Sequence, residues 1–167
     1  MDLQTTIVGL LVAALCIYVF VLLNKSRKNK EKILINQLQV LASEQNALIE
    51  DHELGLNFGL GIDEVNRYLF YTKDNKIGFT NKTIDLMNVR KCEVATVKKR
   101  VGKEDYIDRI FLVFYLISSN KEEQIIIFDS DATALPNGEP LMAKKWADRI
   151  NELLKDVKSN AAFRVAV

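Results

Sequence analysis

Residues with reactive side chains are few and far apart. The 167-residue chain holds one histidine, His52, and two cysteines, Cys16 and Cys92. Acid–base or nucleophilic work would need His52 beside a Ser or Cys, and none lies near it in sequence. Cys92 falls in the alternating pattern of a strand, which makes it a buried thiol. Neither a CxxC pair nor HExxH occurs, so the donor spacing of a zinc site is missing. The run GLNFGLG lacks the Gly-Lys-Ser/Thr ending of a phosphate loop and does not lead into a helix. Its glycines suit a strand approached closely by another backbone or a large side chain. Carboxylates are plentiful, but their spacing singles out no pair. The sequence thus predicts no catalytic residue, no cofactor site and no metal site.

Cations supply the one suggestive polar feature. Lys98, Lys99 and Arg100, with Lys103, gather at the tip of a predicted hairpin, suited to an anionic membrane or an acidic protein partner. Glu104 and Asp105 interrupt the cluster, and a solvated loop is its plainer meaning. The segment from residue 51 onward holds eighteen basic and eighteen acidic residues, which argues against nucleic acid as a partner.

What would position these groups begins with the N-terminus. Between Asp2 and Lys25 there is no charge, and the run TTIVGLLVAALCIYVFVLL is apolar all round. Residues 3–23 would extend about 31 Å as a helix, matching a hydrocarbon core of about 30 Å. Residues 1–24 are therefore expected to form a transmembrane anchor, with Tyr18 and Phe20 near one interface and Gly9 and Ala13 as a small-xxx-small pair. The apolar stretch is too long, and its flank too uncharged, for a cleaved signal peptide. Lys25, Arg27, Lys28, Lys30 and Lys32 crowd its C-terminal side. The positive-inside rule then leaves the N-terminus outside and the rest in the cytoplasm, with anionic headgroups drawn to the basic cluster.

Residues 25–50 read as a basic juxtamembrane segment and helical connector without Gly or Pro. Leu34, Leu38, Leu41 and Leu48 follow the spacing of a short coiled-coil seam, offered equally to a partner chain or to the chain's own domain. From residue 51 the period becomes two. The sequence predicts a strand over 54–62, a turn at 63–66, a strand over 67–72, a turn at 73–76 and a third strand from 77. A polar stretch follows at Asn81 and Lys82. Next come a strand over 92–99, an exposed hairpin loop over 101–108, a hydrophobic central strand over 109–118, and a last strand over 123–128. Pro140 opens an amphipathic helix whose core stripe includes Trp146, Ile150 and Leu153, with Lys144, Lys145, Asp148, Arg149, Glu152 and Lys155 opposite. Residues 159–167 read as a flexible tail.

Six or seven antiparallel strands followed by one helix with Trp146 in KKWADRINELL resemble the pleckstrin-homology superfold. Ile62-Asp63-Glu64 and Asp85-Leu86 resemble hairpin and turn motifs of its bacterial members. The resemblance covers residues 52 to 157 and implies an α+β fold. Residues 51–158 would form a bent antiparallel sheet or open barrel, with Trp146 filling its mouth. Phosphoinositide-binding members carry cations between their first two strands, where this chain reads Asp63-Glu64-Val65-Asn66, so that ligand is not expected. The resulting expectation is a bacterial, membrane-anchored binding or scaffolding module, without catalysis, at the inner membrane and with a protein partner. The alternative is a structural subunit of an oligomeric envelope or secretion assembly, joined through the membrane helix and connector.

Overall fold

A computed structural model describes the backbone of residues 3–75, 77–118, 121–133 and 135–165; within these, the side chains of 3–11, 22–24, 26, 101 and 156–165 are not described. The chain opens with one continuous helix, α1 (Leu3–Glu44). Seven antiparallel strands follow among the described residues. Sheet A has the order β1 (Asp51–Leu54), β2 (Phe58–Asp63), β3 (Tyr68–Asn75) and β4 (Gly78–Asp85). A short 3₁₀ turn (Leu86–Asn88) leads to sheet B, with the order β5 (Val89–Val101), β6 (Glu104–Leu116) and β7 (Glu122–Asp129). Helix α2 (Glu139–Val165) ends the fold, which is α+β with two open sheets.

Several expectations require correction, among them the turn at 73–76, since Lys73, Asp74 and Asn75 lie in β3 and pair with Thr80, Phe79 and Gly78. The alternating run over 54–62 is two strands, because the chain reverses at residues 55–57 and Leu54 pairs with Gly59. Period two continues through such a turn, so alternation alone does not reveal it. A side chain on Gly55 would meet the Phe58 ring at 2.1 Å, which is why the reversal needs glycine there. The predicted loop over 101–108 is mostly ladder: Val101 pairs with Glu104 around a two-residue turn at Gly102-Lys103, with Gly102 at φ +67°. The backbone of 159–165 continues α2 as helix, where a loose tail was expected. The polar residues Asn81 and Lys82 also lie inside β4.

The main core lies between the sheets and α2. Phe58, Leu60 and Ile62 of β2, Leu69 and Tyr71 of β3, and Ile84 of β4 meet Ile110, Leu112, Phe114, Ile125 and Ile127 of sheet B. Trp146, Ile150 and Leu154 of α2 complete it; Leu153 is half-buried at its margin. Tyr71 donates its hydroxyl hydrogen to the Ile126 carbonyl at 2.7 Å, and its burial raises the phenol above the usual range.

A second, smaller core occupies the opposite face of sheet A. There Leu38, Leu41 and Ala42 of α1 pack with Ala47 and Phe70, flanked by Ile49, Leu54 and Tyr68. The approach is close: an added Cβ would stand 3.0 Å from Leu38 Cδ1 at Gly59 and 3.1 Å from Ile49 Cδ1 at Gly61. These glycines serve the close contact that their pattern suggested. The helix stops at Asn46, which takes a left-handed φ of 53°, while the Ala47 N–H returns to the Ala42 carbonyl at 2.9 Å.

Among the described residues no helix is long and apolar enough to cross a membrane. The expected crossing at 3–23 falls partly outside them, since its described side chains run from 12 to 21. All ten of those are exposed, including Leu15, Ile17 and Phe20.

If the C-terminal part of α1 belongs to the folded domain, Leu38→Ala should behave as a core truncation. Denaturant unfolding of residues 25–167 is expected to show a loss of about 2–5 kcal/mol for Leu38→Ala and about 3–5 kcal/mol for Trp146→Ala. Val40→Ala, on the exposed side of the same helix, should change stability little. Equal effects at Leu38 and Val40 would mean that α1 is only a spacer.

Candidate functional site

The connector residues are largely used inside the chain. Leu34, Leu38 and Leu41 are buried, whereas Leu48 lies beyond the helix end and is 80% exposed. The four therefore do not form one seam toward a partner. Lys25, Arg27, Lys28 and Lys30 are exposed along α1, as is Lys32, and Arg27 pairs with Glu31 at 3.1 Å.

At one end of the sheets, α2 is held by charge. Arg149 donates to Glu64 from Nε at 2.9 Å and from its terminal nitrogen at 2.7 Å, and it also pairs with Asp51. Its guanidinium stands 5.6 Å from the Trp146 ring centroid. Glu53 accepts from Trp146 Nε1 at 2.9 Å and from Lys145 Nζ at 2.8 Å. Arg67 donates to the Leu153 carbonyl at 2.8 Å. Lys145 and Arg149, expected on the solvent face, thus fasten α2 to β1 and to the β2–β3 turn. The acidity of Asp63-Glu64 has an internal use. Asp63 is 2% exposed and accepts from the Leu48 N–H, the Asn66 N–H and Asn66 Nδ2. Burial opposes its charge, but these hydrogen bonds prevail and hold its carboxyl below the ordinary value. The hydrogen bond from Arg149 does the same for Asp51, against its desolvation.

His52 is exposed on β1. Cys92 is buried, and burial together with Glu93 pushes its thiol up to about 12, which leaves it unreactive. Among the described residues no cluster could hold a metal ion.

Among the edge strands β1, β4, β5 and β7, the outer edge of β5 is the one that carries the cationic cluster. Asn151 closes this edge at Cys92, donating to the Cys92 carbonyl at 2.7 Å and accepting from the Cys92 N–H at 3.0 Å. Because both Cys92 groups point away from β6, strand alternation turns those of Val94, Thr96, Lys98 and Arg100 the same way. Among the described residues they have no strand neighbour on that side. Beside Asn151 an open groove of about 360 Å³ is lined by Arg90, Lys91, Leu154 and Lys155.

Beyond Arg109 the β5–β6 hairpin outruns β7 and projects as a two-stranded arm. A register shift at Asp108 bends it there, with the bulge held by Ser130, whose N–H and hydroxyl donate to Asp108 at 2.9 and 2.8 Å. Lys98, Lys99, Arg100 and Lys103 are all exposed on this arm, but not as one patch. Lys98 and Arg100 share a face, Lys99 lies on the other opposite Tyr106, and Lys103 occupies the turn. Arg100 pairs with Asp105 at 2.9 Å. The edge-capping role of Asn151 was not anticipated; an Asn amid charged and apolar helix positions was its only sequence signal.

Asp63 and Asp51 give stability a defined acid limb. Each has a folded pKa below its unfolded value of 3.8, so their contribution is complete above that value and declines as pH falls through the lower folded values. Asp63→Asn is expected to lower stability at neutral pH by about 1–3 kcal/mol and to flatten this limb. Thermal unfolding from pH 7 to pH 2 would test it; an unchanged acid limb would exclude Asp63 as its source. No protein-family model, curated protein or solved structure matches the chain.

Proposed function

We propose that this chain is a membrane-anchored, non-catalytic interaction module that takes an extended acidic protein segment along the outer edge of β5. The carrying observation is a strand edge, open from Val94 to Arg100, with cations on both of its faces. An added strand would gain main-chain hydrogen bonds from the edge and place alternate carboxylates beside Lys98 and Arg100 on one face and Lys99 on the other. In-register parallel pairing of two β5 edges would set Lys98, Lys99 and Arg100 against their own copies, and antiparallel pairing centred on Val97 would set them opposite Thr96, Ala95 and Val94; neither places a carboxylate directly opposite these cations, so a second copy of this chain is the disfavoured occupant.

Two further features support the reading. Four strands, then three, then a helix whose buried Trp146 closes one end is the order of a pleckstrin-homology-like bent barrel. The exposed apolar side chains at 12–21, followed by the basic run from Lys25, fit a bilayer-spanning anchor with the domain on the cytoplasmic side of a bacterial inner membrane. Anchoring would raise the module's concentration around membrane-associated partners.

The test is site-specific photocrosslinking from Lys98 in native membranes, with crosslinked segments mapped by mass spectrometry. Acidic segments are expected, lost on Thr96→Pro, which removes an outward N–H that the β5–β6 ladder does not use. They should also be lost on combined Lys98→Glu and Arg100→Glu with the crosslinker moved to Thr96, and retained on Lys144→Glu. Adducts that survive both edge variants would overturn the edge reading.

A further inference from the structure

The direction in which α1 leaves sheet A has a bearing on which part of the domain meets the bilayer. Antiparallel order puts the turn at 55–57 and the Asn75–Gly78 end of the β3–β4 ladder at one end of sheet A and the turn at 64–67 at the other. The second end is the one fastened to α2 through Arg67 and Arg149. Helix α1 runs over the outer face toward this closed end. Ala42 lies in the cluster with Phe70, whose partner is Gly61, while Leu38, one turn earlier, sits over Gly59, whose partner is Thr72. Leu34, a further turn back, is still buried, and Lys28 to Lys30 are exposed. The N-terminal half of α1 therefore departs past the 55–57 turn and the Asn75–Gly78 end of β3 and β4.

That end of sheet A is apolar where it is most exposed. Ile77 is 100% exposed, Leu56 65% and Phe79 39%, and none of them joins either core. From Thr72 to the hairpin tip is about 10–13 Å at roughly 3.3 Å per strand residue. The same distance back from Leu38 along α1, at about 1.5 Å per residue, covers roughly seven to nine residues. The tip thus stands level with the basic run that ends at Lys32, about 10 Å past the end of the apolar stretch and a few Å beyond a headgroup layer about 5–8 Å thick. A helix tilt of about 20°, ordinary for a membrane span, suffices to carry the tip into that layer.

We infer that the Leu56 turn and the Ile77–Phe79 hairpin form a second contact with the lipid bilayer that holds the anchor, seating the domain with this end of sheet A on the membrane surface. The inference rests on the reading of residues 3–23 as a bilayer-spanning helix. Lipid is the occupant because the bilayer must lie on the side toward which α1 departs. Exposed apolar side chains level with exposed Lys28, Lys30 and Lys32 are the pairing that the headgroup layer accepts. Seating would turn a single tether into a fixed orientation.

The full chain in vesicles of phosphatidylcholine, with and without phosphatidylserine, tests this with a thiol-linked fluorophore and lipid-borne quenchers. Native Cys16 reports on the anchor. In a Cys16→Ala background, with the buried Cys92 retained, Ile77→Cys reports on the tip and Val65→Cys on the opposite end of the same sheet; both positions are exposed, so folding is unaffected. Severalfold stronger quenching at Ile77 than at Val65 is expected, together with strong quenching at Cys16. A Leu56→Cys reporter should lose its quenching when Ile77→Asp and Phe79→Asp are added. Quenching at Cys16 with none at Ile77 overturns the seating and leaves the anchor standing. Absence of quenching at Cys16 overturns the anchor, and the seating with it.

Discussion

Strand β2 must be buried on both faces, and most of the fold follows from that constraint. Phe58, Leu60 and Ile62 point into the main core, while Gly59, Gly61 and Asp63 face the other side. A strand with one face of glycine has little apolar surface of its own to bury there. It can, however, let a helix approach almost to the backbone, and Leu38 and Ile49 occupy the space that Cβ atoms would fill. The middle of sheet A becomes the shared floor of two cores. The N-terminal helix is in consequence part of the domain, and its direction is set by packing instead of by a linker.

Asp63 links this floor to the turns beside it. By accepting from Leu48 and Asn66 it ties the segment after α1 to the β2–β3 turn, where a buried carboxylate is stable only because its hydrogen bonds are satisfied. The neighbouring Glu64 receives Arg149, so one turn fixes both helices. Charges at this closed end are largely spent on the fold. Those at the far end of β5 extend beyond β7 and are left facing solvent along an open strand edge.

Much of this organisation was legible in the sequence. The 3.6-residue stripe of α2 placed Trp146 and Ile150 in the core, because a helix with one apolar face has one way to bury it. The turn at 63–66 and the hydrophobic strand at 109–118 were legible for similar reasons. The division of 54–62 into a hairpin was not, since the same alternation passes through the turn. The length of the β5–β6 arm was hidden too. Polar residues on a two-stranded arm outside the core look like a loop, because no burial imposes alternation on them. The cationic cluster was visible as a cluster but not as two faces, which depend on register.

The sequence by itself determined the apolar N-terminal run and its basic flank, the neutral balance of the rest, the β-rich character of the middle and the amphipathic closing helix. Each is a local pattern of side chains along the chain. Only the tertiary structure decided that Leu34, Leu38 and Leu41 are buried, the last two in the core over sheet A. It also decided that Arg149 and Lys145 face carboxylates of β1 and the β2–β3 turn, and that Asn151 closes β5 at Cys92 and leaves the edge beyond it open. These pairings join residues tens of positions apart. A leucine stripe or a lysine row has the same spacing whichever surface it meets; the surface is supplied by the distant strands that folding brings beside it.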